Sequence, residues 1–348
     1  MYELLSKDRV VLRYDDDHFE LVDSSILPYQ LRGRIRDSVQ KNIAAIRYFV
    51  GSRLSPLNRK YVRQVFNNLR ISQQLSDAVK SEAMLRFHAL SLQDCYWVRA
   101  TDEDLTWDKV NLFDNPWESG YADFLLWGDN KSLAPGLTPE MTTDGTYAKC
   151  WIREGNEIGL LKRGEHGDTE SKAEVVVSHL LDKLGYSHVP YRKYKSHNST
   201  LCYCPLMTSK SVSRLTGMDF ISYCRVQGKD GVAEAMKLDS TTMYQMFITD
   251  YLFSNSDRHG GNWGFEYDSD TMEILRCHPL YDHNNAFDTS LMAQDDGGGS
   301  LFYKSSMRVV AMEARNHIDM DLKGGFTPFD FDNLSQFMSF KKRYKYLK

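Results

Sequence analysis

Apolar residues in the first part of the chain follow a strand pattern and then a helical one. Two short strand-like segments lie at 10–14 and 19–22, separated by an acidic turn. From 35 to about 92 the apolar residues recur every three or four positions, which predicts helices. The clearest apolar stripes run over 39–50 and 62–69. The chain therefore begins with short strands followed by helices.

A polar turn at 142–149 opens a predicted hairpin. A strand begins at Cys150, Gly155 and Asn156 form the turn, and 158–162 is the returning strand. A strand–turn–strand opening of this kind can lay backbone N–H groups over phosphates. Because the polar turn holds a single glycine, an ordinary hairpin explains the pattern equally well.

Two lysines near this hairpin are candidates for binding phosphate. The backbone of Gly145 and Thr146 is the expected phosphate-binding part of the turn. Lys162 ends the returning strand, where its ammonium could reach the α- and β-phosphates of a nucleotide as a point charge. Lys149 competes for this role, but it lies in or beside the turn rather than on the second strand.

Glu174 opens a predicted helix whose apolar face ends at Gly185. The pattern Ser171-x-x-Glu174 is a capping box, in which the carboxylate reaches back to the start of the helix. Alternatively, Glu174 pairs with Lys162 and holds this lysine over the phosphates. The ion pair is the favoured interpretation, and the cap is its alternative.

An extended segment follows this helix. Residues 201–203 predict a strand that leads into 204–207. Such a segment can serve as a hinge between two lobes. The backbone groups of Leu206 and Met207 would then be available to an adenine edge.

The most informative feature is a polar loop that follows an apolar helix. Asp257 and Asn262 have the spacing D-x-x-x-x-N, and Asp282 comes twenty residues later after a short apolar stretch. Phosphoryl transfer needs one carboxylate to orient or deprotonate the acceptor, and an amide oxygen and a second carboxylate for Mg²⁺. Ordinary turns can produce this spacing by chance. The neighbouring elements nevertheless favour a kinase catalytic loop.

Those neighbouring elements are a helix and a hairpin. Asp239 or Ser240 is expected to cap a helix over 240–253, which delivers the chain into the polar loop. Two strands, 263–267 and 272–277, form the hairpin after the loop. Helix, polar loop, hairpin and aspartate follow one another in the catalytic lobe of a kinase.

Composition limits the class of protein. The 348 residues leave room for about two or three lobes, and the net charge of −4 predicts no direct nucleic-acid binding. No stretch is long and apolar enough to predict membrane insertion. Six scattered cysteines without a C-x-x-C pair favour a reducing cytoplasm over disulfides or a zinc site. The basic run at 341–343 is expected to be a solvated helix end.

With these residues in place, the chain resembles the HipA-like serine/threonine kinase family along nearly its whole length. The strongest matches are the D-Y-L to N-W-G segment at 250–264 and P-L-Y-D at 279–282. Weaker matches lie at 91–97, at 143–149 and at Glu174. The D-R-H-x-x-N core is also typical of phosphatidylinositol 3/4-kinases, to which this family is distantly similar.

The resemblance implies an α+β, two-lobed protein-kinase-like fold of the HipA type. Its N-terminal region mixes strands and helices, and its C-lobe is mainly helical. The expected division is an N-terminal region at 1–130, a nucleotide-clamping N-lobe at 131–206 and a catalytic C-lobe at 207–348.

The resemblance also implies roles for individual residues. Asp257 is the catalytic base, Asn262 and Asp282 are the Mg²⁺ ligands, and Lys162 is the ATP lysine, held by Glu174. ATP and Mg²⁺ are therefore the expected cofactors.

Further positions follow from the family pattern. His259 and Tyr281 line the nucleotide pocket, although a hydrogen-bonded structural histidine explains His259 equally well. Thr142 or Thr143 corresponds to the hydroxyl residue of the phosphate loop that becomes autophosphorylated and silences the enzyme. The bulky Tyr147 departs from the family loop, which is richer in small residues.

The leading interpretation is an ATP- and Mg²⁺-dependent, autophosphorylating serine/threonine protein kinase. Its substrate would be a protein with a Ser or Thr acceptor, and a toxin role with an antitoxin or another regulatory partner is compatible with the family. One alternative is a lipid or small-molecule kinase of the phosphatidylinositol-kinase type. Another is a nucleotide-binding pseudokinase that serves as an interaction module.

Overall fold

The protein is described by a computed structural model over residues 1–74, 76–118, 120–129, 132–134, 136–165, 167–320 and 325–348. The chain forms two compact units, each assembled from segments that are distant in sequence. The first unit comprises Met1–Leu160, Leu206–Leu215 and Glu266–Leu275, and the second comprises Leu161–Pro205, Thr216–Phe265 and Arg276–Lys348. The division predicted at 130 and 206 stays a prediction, and its first boundary lies outside the described residues.

The regular elements are numbered in chain order. The first half contains β1 (Tyr2–Ser6), β2 (Arg9–Tyr14), β3 (Phe19–Leu21), α1 (Val39–Ser52), α2 (Val62–Asn68), α3 (Asp77–Leu85), β4 (Tyr96–Ala100), α4 (Trp107–Val110), α5 (Tyr121–Trp127), β5 (Lys149–Glu154) and β6 (Glu157–Arg163). The second half contains α6 (Thr169–Leu184), β7 (Arg192–Ser196), β8 (Ser199–Pro205), β9 (Val212–Thr216), α7 (Gly217–Val226), α8 (Gly231–Leu252), β10 (Gly264–Asp268), β11 (Ile274–Cys277), α9 (Thr289–Met292), α10 (Met307–Arg315) and α11 (Leu334–Leu347). Short 3₁₀ helices occupy Ser24–Ile26, Pro139–Thr142 and Pro328–Asp330.

The N-terminal sheet is antiparallel, with the strand order β3-β2-β1-β4. Leu4 of β1 pairs with Leu12 of β2 and Val98 of β4, and all three side chains are buried. Strands β2 and β3 match the segments predicted at 10–14 and 19–22. Strand β1 was not predicted because four of its five residues are buried, which removes the alternation typical of a strand.

Helices α1 and α2 lie where the apolar stripes predicted them. Ser38 caps α1, since its Oγ accepts a hydrogen bond from the backbone N–H of Lys41 at 3.4 Å. The side chains that formed the stripes, such as Ile43, Ile46 and Val65, are buried. The helical assignment of this region is therefore confirmed.

The first unit has a core rich in tryptophan. Trp97, Trp107 and Trp151 belong to one buried cluster, and the partly buried Leu206 packs against it. Trp97 also donates from Nε1 to the backbone carbonyl of Lys7 at 2.6 Å. Since Trp151 lies on β5, this core supports the strand that follows the polar turn at 142–149.

Helix α8 of the second unit leads into the polar loop and is kinked at Asp239, where φ is −155° and ψ is 77°. Oδ1 of Asp239 accepts from the backbone N–H of Thr242 at 3.0 Å, so Asp239 caps the second half of the helix, as predicted. The first half was not predicted because it buries few apolar side chains, of which Ala235 is one.

Helix α6 ends where the sequence predicted. Gly185 follows its last turn with a φ of +67°, and the backbone N–H groups of Gly185 and Tyr186 donate to carbonyls of that turn. A left-handed residue at this position favours glycine. Val177 and Leu180 lie on the buried face of the helix. This face fixes the helix that carries Glu174.

The end of the chain differs from the expectation. The basic run at 341–343 lies on α11, but Arg343 is buried rather than solvated. Its Nη1 donates to the backbone carbonyl of Tyr251 at 2.6 Å. The prediction of a solvated helix end is therefore wrong for Arg343, because its guanidinium provides donors for buried carbonyl groups.

None of the helices in the described part of the chain combines the length and apolar character needed to span a bilayer. All six cysteines are free thiols, and all are buried.

Candidate functional site

The candidate site lies in the second unit and begins with an ion pair between Lys162 and Glu174. Lys162 lies on β6, and its Nζ is 2.6 Å from Oε1 of Glu174 on α6. Glu174 is completely buried, and Lys162 is 9% exposed. The second carboxylate oxygen of Glu174 accepts from the backbone N–H of His283 at 2.8 Å. The predicted ion pair is present in the structure.

The capping box predicted from Ser171 and Glu174 is wrong. Helix α6 begins at Thr169 after Asp168, so both residues lie within the helix rather than at its cap. Oγ of Ser171 donates to the backbone carbonyl of Lys162 at 3.1 Å. Ser171 therefore joins α6 to the strand that carries Lys162, and Glu174 uses both of its oxygens outside the helix.

Asp282 completes the surroundings of the lysine. Its Oδ1 is 2.8 Å from Nζ of Lys162. The hydroxyl of Tyr191 accepts hydrogen bonds from Nζ of Lys162 at 3.3 Å and from the backbone N–H of Asp282 at 3.2 Å. Asp282 has a φ of +58°, a left-handed conformation that is uncommon for residues other than glycine. The ammonium thus lies among two carboxylates and a phenol.

Burial and charge act in opposite directions on these groups. Burial lowers the pKa of Lys162, but the carboxylates of Asp282 and Glu174 have the larger combined effect, so this pKa lies well above its ordinary value. Burial raises the pKa of Glu174 to about 7 against the opposing effect of the Lys162 ammonium. The lysine therefore stays charged, as its predicted role in binding phosphate requires.

Arg258 connects the polar loop with the segment that precedes Asp282. Its guanidinium is buried and pairs with Asp250 of α8, with Nε 3.1 Å from Oδ2 and Nη2 3.0 Å from Oδ1. Its Nη1 donates to the backbone carbonyls of Asn262 at 2.5 Å and Tyr281 at 2.8 Å. One side chain therefore fixes the backbone beside Asn262 and beside Asp282.

Asp257 and Asn262 are held on the same loop. Nδ2 of Asn262 donates to the backbone carbonyl of Asp257 at 2.8 Å, which orients the side-chain amide. Oδ2 of Asp257 accepts from Nδ2 of Asn285 at 2.9 Å. Asn285 comes three residues after Asp282, so Asp257 is linked directly to the segment that supplies the other predicted metal ligand.

His259 and Tyr281 shape the loop. Nδ1 of His259 accepts from the backbone N–H of Gly261 at 3.0 Å, and its Nε2 lies 3.8 Å from Oδ1 of Asp257. The hydroxyl of Tyr281 donates to the backbone carbonyl of Gly261 at 2.7 Å. These hydrogen bonds give both side chains a structural role in the loop. That they also line a nucleotide pocket stays a prediction.

The donor set fits Mg²⁺. The described residues contain no group of three or more His, Cys, Asp or Glu that could hold a metal by itself. Mg²⁺ is usually bound through one or two carboxylates together with substrate phosphates and water. Asp282 with the amide oxygen of Asn262 provides such a partial set, and a cation, the Lys162 ammonium, already lies beside Asp282. These residues suit a metal that arrives with a nucleotide.

The predicted phosphate-binding turn lies in the first unit, where a buried network holds its base. Arg59 pairs with Glu140 at 2.7 Å, and Glu140 accepts from the backbone N–H of Trp151 at 2.6 Å. Oγ1 of Thr143 donates to a backbone carbonyl and accepts from Nε1 of Trp151 at 2.9 Å. Thr142 is only half-buried. The two threonines therefore differ in accessibility.

The rest of this turn is more open. Thr146 is exposed, and Gly145 has a φ of +90°, with Nζ of Lys149 2.2 Å from the position that a Cβ would take. Lys149 itself is buried at the start of β5. The left-handed conformation therefore favours glycine at 145.

The predicted hinge residues also lie in the first unit. The backbone N–H of Leu206 donates to the carbonyl of Ile158 at 2.8 Å. This amide is thus engaged in the structure, and an adenine edge would have to use the Leu206 carbonyl or the backbone of Met207. Their nucleotide-binding role stays a prediction.

Three residues of the site were not assigned a role from the sequence. Arg258 belongs to the D-R-H-x-x-N motif, so the sequence placed it near the site but did not indicate its hydrogen bonds. Asn285 follows a predicted metal ligand by three residues, a spacing that could have drawn attention to its amide. Tyr191 lies far from every motif in the sequence, and no pattern indicates it.

No family model and no curated protein matches this sequence. Among solved structures, HipA of the Shewanella oneidensis MR-1 toxin–antitoxin system, in complex with HipB and operator DNA, matches with a TM-score of 0.57 and 14% identity over 100% of this chain and 97% of that chain. The proinflammatory kinase CtkA of Helicobacter pylori matches with a TM-score of 0.41 and 13% identity over 57% of this chain and 89% of that chain. The whole-chain match to HipA confirms the expected fold class.

Proposed function

We propose that this chain, which has the fold of HipA, is an ATP- and Mg²⁺-dependent kinase that phosphorylates Ser or Thr hydroxyls of proteins, including its own. The observation that supports this most strongly is the position of the Lys162 ammonium. It lies 2.6 Å from Glu174 and 2.8 Å from Asp282, so a phosphate-binding cation is next to a carboxylate suited to Mg²⁺. Phosphoryl transfer depends on this kind of electrostatic arrangement.

Each group has a defined task in the proposal. Lys162 binds the nucleotide phosphates, and Glu174 holds Lys162 in place. Asp282 and Asn262 hold the Mg²⁺, which neutralises charge on the transferred phosphoryl group when bound. Asp257 accepts the proton of the attacking hydroxyl. Asn285 keeps the Asp257 carboxylate in one orientation through the 2.9 Å hydrogen bond.

The presence of all five groups in one unit argues against a pseudokinase. Lys162, Glu174, Asp257, Asn262 and Asp282 belong to the second unit and are joined by hydrogen bonds or through Arg258. A module that only binds a partner has no need for such a connected set. A lipid or small-molecule kinase would use the same groups, so the acceptor distinguishes it.

A partner protein of the antitoxin kind and a location in the cytoplasm belong to the same proposal. The support for the partner is that the solved HipA assembly contains HipB and operator DNA. The support for the location is the set of six free thiols, which suits a reducing compartment.

Transfer of phosphate is tested by intact mass measurement before and after incubation with Mg-ATP. The wild-type chain should gain phosphate, and Asp257→Asn should reduce the rate about 10²-fold or more because it removes a positioned base. Nucleotide binding should persist in this variant, since the base contributes little to ground-state contacts. Asp182→Asn, which changes an exposed carboxylate of α6, is the matched control.

Two outcomes would contradict the proposal. Wild-type rates in Asp257→Asn would exclude Asp257 as the base. Transfer to a phosphoinositide or a small alcohol, with none to this chain or to a protein, would favour the lipid or small-molecule kinase.

A further inference from the structure

We infer that Tyr191 is a positioning residue that keeps Lys162 and the backbone of Asp282 in place when Mg²⁺ takes over the Asp282 carboxylate. The inference rests on the proposed function, because it assigns Tyr191 to the same metal and nucleotide site. Tyr191 is buried beside both residues. It belongs to none of the motifs from which the site was predicted.

The hydroxyl of Tyr191 accepts two hydrogen bonds from the site. A phenol has one donor and accepts two further hydrogen bonds. The two accepted bonds come from Nζ of Lys162 at 3.3 Å and from the backbone N–H of Asp282 at 3.2 Å. The hydroxyl is therefore held between the side chain of Lys162 and the backbone of Asp282.

The ammonium of Lys162 has three N–H donors and three partners. These are Glu174 at 2.6 Å, Asp282 at 2.8 Å and the Tyr191 hydroxyl at 3.3 Å. With Mg²⁺ held by Asp282, the ammonium would lose this carboxylate and would gain phosphate oxygens of the nucleotide. Glu174 and Tyr191 are the two partners that remain. Tyr191 is neutral, so it holds the lysine without competing for the metal.

The aromatic ring of Tyr191 also contacts the Lys162 ammonium. Nζ of Lys162 lies 5.0 Å from the centroid of the Tyr191 ring, within the range of a cation–π interaction. Phenylalanine in place of Tyr191 would keep this contact and lose only the hydroxyl. The hydroxyl can therefore be tested separately from the packing of the ring.

The second bond of the hydroxyl acts on the backbone of Asp282. This residue has a φ of +58°, a backbone conformation that is strained for residues other than glycine. Its N–H donates to the Tyr191 hydroxyl at 3.2 Å. Losing the acceptor leaves the N–H without this partner and allows the carboxylate to move away from the metal position.

A neighbouring tyrosine provides the control. Tyr186 lies in the same segment after α6 and is buried like Tyr191, and burial raises its pKa to about 12. Its hydroxyl has no hydrogen-bond partner among the described residues. Tyr186→Phe therefore removes a buried hydroxyl without removing a bond to the site.

The experiment compares wild type, Tyr191→Phe and Tyr186→Phe as full chains. Calorimetry measures the affinity for ATP in EDTA and at increasing Mg²⁺, electron paramagnetic resonance measures Mn²⁺ binding, and thermal unfolding checks the fold. In Tyr191→Phe the apparent affinity for the metal should fall about tenfold, the effect expected for losing hydrogen bonds at a charged group. Metal-free ATP binding and the melting temperature should change little, and Tyr186→Phe should match wild type.

Three other results would contradict the proposed role of Tyr191. Equal metal affinity in Tyr191→Phe and wild type would overturn the role of the hydroxyl. Unfolding of Tyr191→Phe, or an equal loss of metal-free and metal-dependent binding, would show a structural role only. If wild type bound neither Mn²⁺ nor Mg-ATP, the proposed function itself would fail, and the positioning role with it.

Discussion

At the scale of single residues, Glu174 shows how closely the site depends on one side chain. Oε1 accepts from Lys162 and Oε2 accepts from the backbone N–H of His283. A glutamine has only one side-chain oxygen, so Glu174→Gln cannot accept both bonds. We expect a loss of activity of about tenfold or more, since a hydrogen bond to a charged group contributes roughly 1.5–3 kcal/mol. Phosphate transfer and thermal unfolding are measured on the same preparation.

A control for this variant is available on the same helix. Glu170→Gln changes a buried carboxylate four residues earlier, whose Oε2 accepts from the backbone N–H of Glu165 rather than from Lys162. If Glu174→Gln kept full activity, the ion pair with Lys162 would have no part in the reaction.

The two threonines of the polar turn give a second prediction at this scale. After incubation with Mg-ATP, phosphate should lie on Thr142 and not on Thr143, because the hydroxyl of Thr143 is buried and bonded to Trp151. Peptide mapping by mass spectrometry identifies the site. Thr143→Ala should lower stability by roughly 1–3 kcal/mol, since it leaves the Trp151 N–H without its acceptor. Phosphate found on Thr143 would contradict the prediction.

The site residues predicted from the sequence were those whose spacing along the chain forms a known motif. The D-x-x-x-x-N pattern pointed to Asp257 and Asn262, and the ion pair of Glu174 with Lys162 was the favoured interpretation of its position. The contacts of Tyr191 depend on how β6, α6 and the Asp282 segment come together. No local sequence pattern predicts contacts between such distant segments, so Tyr191 was not predicted as a site residue.

At the scale of elements, the sequence predicted those whose apolar residues repeat regularly. Helix α1 and the second half of α8 have clear stripes, and Asp239 marks the start of the latter. Strand β1 and the first half of α8 lack such a repeat, because the former is buried almost throughout and the latter hardly at all. The boundary of α6 was misplaced because Ser171 has the identity of a cap but lies inside the helix.

A short turn near the C-terminus is tied to α6. Oδ1 of Asp330 accepts from Lys183 at 2.6 Å and lies 3.0 Å from Nε2 of His179, and Oδ2 accepts from the backbone N–H of Thr327 at 2.7 Å. Burial raises the pKa of Asp330, but the bonds from Lys183, Thr327 and His179 together lower it well below its ordinary value. The ionised carboxylate is thus favoured in the folded state.

This depressed pKa predicts a pH-dependent contribution to stability. The contribution is fully present above the unfolded pKa of about 4 and is lost as the pH falls towards the folded pKa. Asp330→Asn should therefore lower the melting temperature by roughly 2–4 °C at pH 7 and by much less at pH 2. Thermal unfolding at both pH values measures this, with the exposed Asp332→Asn as control. A difference that stayed constant with pH would exclude Asp330 as its source.

At the scale of the whole molecule, the two units are not continuous in sequence. Residues 206–215 and 266–275 belong to the first unit, although the sequence on both sides of them belongs to the second. Periodicity is a local property, and it cannot show that a strand returns to a distant part of the chain. The overall fold was therefore predicted through the family resemblance, and the whole-chain match to HipA confirms it.

Binding of nucleotide should stabilise the chain as a whole. A ligand that binds only the folded state at a hundred times its Kd adds about 2.7 kcal/mol to the free energy of unfolding. Mg-ATP should therefore raise the melting temperature more than ATP with EDTA does. Asp282→Ala should remove the difference, and Asn262→Ala should reduce it, since it loses a neutral ligand only. An undiminished difference in both variants would place the metal elsewhere.

Arg258 has a consequence for how sequences with this fold can diverge. A single nitrogen of its guanidinium, Nη1, donates to the backbone carbonyls of Asn262 and Tyr281, so the two segments are held close together around one atom. Apolar residues around the loop can then be exchanged without changing that separation. The sequence around the loop can therefore change while one arginine keeps the backbone at Asn262 next to the backbone that precedes Asp282.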